Sequence, residues 1–169
     1  MTAHESETIP IVASSRPEMT AAIMEETGLD EAVLRTLVHR FYAKIRADDL
    51  LGPIFAARIT DWARHLERMV GFWCSVALMT GSYHGRPVPL HAPLPVEAAH
   101  FAHWLMLFRE TAHEVCTPAG ADHVIERAER IARSLQMAVE LTAARREAAA
   151  SLRDPRGAAP GRVPVAGGG

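Results

Sequence analysis

A chain of 169 residues is long enough for one domain with a real core. It is 49% hydrophobic and 22% charged, with a formal net charge of -2, so there is no global basic field for nucleic acid or acidic membranes. The N-terminus lacks a basic stretch followed by an apolar run, and no apolar stretch is long enough to span a bilayer; the expectation is a cytoplasmic protein with neither a nucleic-acid nor a membrane partner.

Residues 1–27 are mixed and polar and read as a partly disordered extension, with a short helix near 18–25. A first long helix is predicted over 30–46, where Val33, Leu34, Leu37, Val38, Phe41 and Ile45 recur on one face. Tyr42 lies at the edge of that face, where a ring can be buried with its hydroxyl in a cavity. Asp48-Asp49 and Gly52-Pro53 break the helix, and Ile54-Phe55 follow in a short turn. Thr60 or Asp61 caps the next helix, which reaches about Thr80 and carries Trp62, Leu66, Met69, Val70, Trp73, Val76 and Ala77 on one stripe. His65 projects from the same stripe, three residues after Trp62 and four before Met69.

After Gly81 and Gly85 comes a segment predicted to be irregular, Arg86-Pro87-Val88-Pro89-Leu90-His91-Ala92-Pro93-Leu94-Pro95. Each proline fixes its own backbone angle, removes a donor and restricts the residue before it. A helix over 96–115 follows, with Phe101, Trp104, Leu105, Phe108 and Ala112 on one side, ended by Pro118 and Gly120. The last predicted helix, 122–144, carries Val124, Ile125, Ala128, Ile131, Leu135 and Val139. Residues 145–169, rich in Ala, Arg, Gly and Pro, read as a disordered tail, which leaves a domain over 28–144. No segment alternates with the period of a strand, so the fold class is all-α.

Cys74 and Cys116 fall in apolar helical patterns and match no zinc spacing, so reduced buried thiols are expected. Glu97/His100 and Glu110/His113 are two Glu-x-x-His motifs, but both lie on one predicted helix and cannot share a metal pair. His100 and His103 stand one turn apart without a third ligand, and they read as surface histidines.

His91 is different, because four prolines bracket it. Its bland reading is a proline-rich connector that happens to contain a histidine. Tyr42, His65 and Trp104 also have bland readings, as core residues with satisfied polar atoms. Together the four describe a cavity with one rigidly held ligand and several hydrogen-bonding groups. That is the chemistry of a haem iron with a proximal histidine and a polar distal pocket. The second ring nitrogen of such a histidine is usually held by a carbonyl or carboxylate, and an irregular segment has free carbonyls.

With these residues in order, the chain resembles the truncated haemoglobins, specifically their third group, which is bacterial globin-like. The resemblance covers about 29–144: Phe41-Tyr42, Leu51-Gly52-Pro53-Ile54-Phe55, Trp62-Ala63-Arg64-His65, Gly71-Phe72-Trp73, Tyr83-His84-Gly85-Arg86-Pro87 leading to His91, and His103-Trp104-Leu105-Met106-Leu107-Phe108. It implies a shortened globin fold, a two-over-two helical sandwich around haem b. Carried over by position, His91 resembles the proximal iron ligand, Tyr42 and Trp104 the distal donors, and His65 the distal histidine that gates the pocket or turns to the iron. Phe55 resembles the phenylalanine packed on the haem face, and Met69 occupies a distal wall position.

The function implied is binding of dioxygen, or other diatomic ligands, at histidine-ligated ferrous haem, with a reductase as partner. Two neutral donors, each contributing on the order of 1 kcal/mol, slow ligand release by roughly tenfold or more, which suits sensing, scavenging or redox chemistry better than delivery. The same polar pocket fits a haem-dependent enzyme, peroxidase-like or nitric-oxide-consuming. The third alternative is a helical interaction domain without a cofactor.

Overall fold

The computed structural model describes residues 16–153, so the readings made for 1–15 and 154–169 lie outside the described residues. Seven helices and no strand occur among them: α1 Arg16–Thr27, α2 Glu31–Ala47, α3 Gly52–Ala56, α4 Trp62–Leu78, α5 Pro87–His91, α6 Ala98–Val115 and α7 Pro118–Arg153. Asp30 caps α2 by accepting the Val33 N–H at 2.8 Å, and Asp61 caps α4 by accepting that of Arg64 at 3.0 Å. The stripe of α2 is buried as its spacing predicts, with Leu34, Leu37, Val38, Phe41 and Ile45 all inside.

α2 packs on α4 and on α6, while α7 packs on α6 and α4; this is the two-over-two sandwich. Phe108 of α6 is at its centre. It stacks on Trp73 of α4 at 4.8 Å and on Trp104 at 5.5 Å, and meets Phe41 of α2 edge-on at 5.2 Å. Three helices thus share one aromatic contact, which sets their separations.

Three segments depart from the sequence reading. The proline-rich segment around His91 is not irregular throughout: Pro87–His91 forms one helical turn. Pro87 and Pro89 occupy the first and third helical positions, where an N–H would have no intrahelical partner, so their missing donors cost nothing. For the same reason Pro118 begins α7 and does not simply end α6, and Gly120 lies within the first turn. Finally, α7 continues to Arg153, nine residues past the predicted boundary at 144. Residues 145–153 are exposed, and their Ala, Arg, Glu and Leu content sustains a helix by intrinsic propensity where burial does not.

At the N-terminal end, α1 packs Ile23 on the core and is also attached to the domain through polar contacts, which no apolar period reports. The Thr20 hydroxyl donates to the Leu78 carbonyl at 2.6 Å, and the Thr117 hydroxyl donates to the Thr27 carbonyl at 2.6 Å while accepting the Gly120 N–H at 3.0 Å. Gly120 is needed there, since a Cβ would lie 2.8 Å from the Thr27 carbonyl oxygen. Gly120→Ala is therefore expected to destabilise the protein by about 1–2 kcal/mol, despite the better helix propensity of alanine. Urea unfolding checks this, and an unchanged or higher midpoint would show that the junction can relax.

Candidate functional site

Between the two helix pairs lies a cavity of about 180 Å³, and all six residues singled out from the sequence line it: Tyr42, Phe55, His65, Met69, His91 and Trp104. They arrive from five elements. α2 supplies Tyr42, α3 Phe55, α4 His65 and Met69, α5 His91, and α6 Trp104. Ile131, Ala132 and Leu135 of α7 complete an apolar wall.

His91 is held through its ring. Nδ1 lies 2.6 Å from the Pro87 carbonyl oxygen, one turn earlier in α5. A carbonyl can only accept, so Nδ1 carries the proton, and in the neutral ring Nε2 is left with its lone pair. The single helical turn thus aligns the carbonyl that the sequence reading sought in irregular backbone.

Tyr42 and His65 make the opposite kind of environment. Their rings meet edge-on at 5.1 Å, and Tyr42 also meets Phe55 at 6.0 Å and Trp62 at 6.2 Å. Tyr42 is buried, and desolvation alone pushes its phenol well above the usual range, so the hydroxyl stays protonated. The His65 Nε2 is buried without a hydrogen-bond partner among the described residues. Desolvation, then the charges of Arg68 and His91, hold His65 below its ordinary value and so favour the neutral ring. Buried polar atoms without partners are uncommon in folded proteins and call for a reason in function.

The sequence reading missed Arg68, Tyr83 and His100 as lining residues. Arg68 follows His65 by three positions on α4, so helical spacing carried the signal. Tyr83 is directed by its backbone, whose N–H donates to the Ser75 hydroxyl at 2.7 Å, and no sequence pattern reports that bond. His100 is half-buried and lines the cavity, in place of the surface position expected for it, and it also closes a capping box in which Nδ1 accepts the Glu97 N–H at 3.0 Å. His103 turns elsewhere, 2.6 Å from Asp48. Cys74 and Cys116 are free thiols, and burial pushes both up, Cys116 to about 11.

A model of the bacterial-like globins matches residues 22–140, which is most of the described chain. The chain belongs to this family. A group 3 truncated hemoglobin of Campylobacter jejuni is 32% identical over 118 residues, spanning 67% of this chain and 93% of that protein. The crystal structure of the group III truncated hemoglobin from the same species aligns with a TM-score of 0.62 at 32% identity, over 66% of this chain and 91% of that one. The protein is thus a haem-binding globin of the group III truncated type, with the all-α shortened globin fold. No helix among the described residues is long and apolar enough to cross a membrane.

In this globin Tyr42 places a hydroxyl in an apolar cavity without a hydrogen-bond partner among the described residues, so Tyr42→Phe is expected to leave the stability of the haem-free protein unchanged or to raise it by up to about 1 kcal/mol. A fall of its urea midpoint by an equivalent amount would mean that the hydroxyl has a structural role.

Proposed function

We propose that this globin binds dioxygen, or another diatomic ligand, at a haem b iron ligated by His91, with Tyr42 and Trp104 as donors to the ligand. The single observation that carries the reading is the contrast between two histidines that line the cavity. His91 has one ring nitrogen engaged at 2.6 Å and the other without a partner among the described residues, and His65 has Nε2 buried without a partner among them. A metal ligand requires the first arrangement. A pocket for a small polar guest accounts for the second, since the guest supplies the missing hydrogen bond.

These residues fit a haem. The lining is mainly apolar, as the porphyrin faces require, with Phe55 and Met69 among the packing groups. Arg68, Tyr83 and His100 line the same cavity and are suited to the carboxylate side chains of the cofactor. When bound, the haem iron supplies an open coordination position for a diatomic ligand. The chain's own part is to hold the imidazole, exclude water and present donors. The Tyr42 phenol keeps its proton and donates. Trp104, held by stacking on Phe108 and by the edge of Phe41, brings an indole N–H that can only donate. The neutral His65 ring either donates to the guest or approaches the iron. A reductase that keeps the iron ferrous, in the cytoplasm, is the partner this reading requires.

His91→Ala is expected to lose the haem absorption band that the wild-type protein shows after reconstitution. Retention of an unaltered ferric spectrum would remove His91 from the iron. Tyr42→Phe and Trp104→Leu should each speed dioxygen dissociation, by roughly fivefold for a neutral hydrogen bond of about 1 kcal/mol. Stopped-flow rates decide it, and wild-type rates in both variants would reject these donors.

A further inference from the structure

Asp48 occupies the corner between α2, which carries Tyr42, and α3, which carries Phe55. Every part of it is engaged. Its N–H donates to the Ile45 carbonyl at 3.2 Å, and its own carbonyl accepts the Gly52 N–H at 2.8 Å. Oδ1 accepts the N–H groups of Leu50 and Leu51, at 3.0 and 2.8 Å. Oδ2 lies 2.6 Å from Nε2 of His103, on α6. The hydrogen bond from His103, followed by that from Leu51, holds the Asp48 carboxyl below the usual range, so at neutral pH it only accepts. Nε2 of His103 is therefore the protonated ring nitrogen.

The two ends of this bond adjoin the cavity on both sides. Leu51, whose N–H Asp48 holds, lines the cavity together with Ile54 and Phe55 of α3. His103 directly precedes Trp104, which lines it from α6. The neighbouring cations at the end of α2 are committed elsewhere: Lys44 pairs with Glu110 and Glu114, and the Arg46 guanidinium lies 4.5 Å from the centre of the Trp62 ring. His103 is thus the side chain that fastens the Asp48 carboxylate to α6.

We propose that Asp48 and His103 are positioning residues for ligand binding. Their hydrogen bond fixes the α2–α3 corner against α6, and so sets the placement of Tyr42 and Phe55 relative to Trp104. This rests on the ligand-binding reading above. The pair touches neither haem nor ligand in that reading, and acts through the residues on either side of it. The pair is partly solvent-exposed, so its effect lies in geometry more than in stability.

The test is dioxygen dissociation from the haem-reconstituted full chain, with Tyr42→Phe run beside the new variants. His103→Ala keeps a strong helix former in α6, and Asp48→Asn keeps an acceptor for the Leu50 and Leu51 N–H groups, so both should fold. Each is expected to change the dissociation rate by about threefold or more, while the combined variant changes it no further than either alone. His103→Gln retains an N–H donor and should stay within about twofold of the wild type. The ferric spectrum should remain that of the wild type throughout, because the His91 side is untouched. If His103→Ala and Asp48→Asn lower the urea midpoint but release dioxygen at the wild-type rate, while Tyr42→Phe speeds it, the pair is structural only and the proposal is overturned. Additive effects in the combined variant would also overturn it. If Tyr42→Phe too leaves the rate unchanged, Tyr42 is not a donor to the ligand, and the positioning role, which acts through its placement, falls with that assignment.

Discussion

The packing of Phe108 is the constraint on which the rest of the molecule depends. One side chain of α6 makes ring contacts with α2, with α4 and with its own helix, so those three helices cannot shift independently. Trp104, one turn before it, carries the same stack to the cavity. The core and the site are therefore not separate regions. The aromatic cluster that buries the apolar face of α6 also constrains, together with the Asp48–His103 bond, how far Tyr42, His65 and Trp104 stand from one another. A substitution in that cluster would be felt in the cavity, because close-packed interiors transmit small displacements.

Across the cavity the protein uses a different device. α5 has no buried residue, and Leu90 is 64% exposed, so hydrophobic burial does little to hold it. Proline does more, by restricting the conformations that the segment loses on folding. Within this turn the Pro87 carbonyl fixes the His91 ring. One wall of the site is thus ordered by packing and the other by covalent stiffness and a single hydrogen bond. Local rigidity of this kind suits a ligand that must hold its direction.

Much of the site was legible in the sequence because helical spacing reports which side chains share a face. His65 and Met69 were placed with Trp62 by that rule, and Tyr42 at the edge of the face that holds Val38 and Phe41. What escaped depends on polar contacts between distant segments. The link from Thr117 to Thr27 docks α1, and the Ser75 bond to the Tyr83 N–H directs that tyrosine. A hydrogen bond to a backbone atom leaves no period behind. His100 was misjudged for a related reason: the capping box that orients it uses a histidine at the position where the usual pattern has a carboxylate or amide.

By itself the sequence determined the all-α class, the apolar faces of the long helices and four side chains that line the cavity, Tyr42, His65, His91 and Trp104, since these follow from local periodicity, capping and the stiffness of proline, while Phe55 and Met69 were added to the cavity by the family resemblance. Only the tertiary structure decided which atoms of those side chains are free. The engagement of the His91 Nδ1 with the Pro87 carbonyl, the His65 Nε2 without a partner among the described residues and the engagement of His103 with Asp48 are set by atoms from other turns and other helices. Hydrogen-bond accounting needs both partners in space, whereas burial of a helix face is written along one strand of sequence.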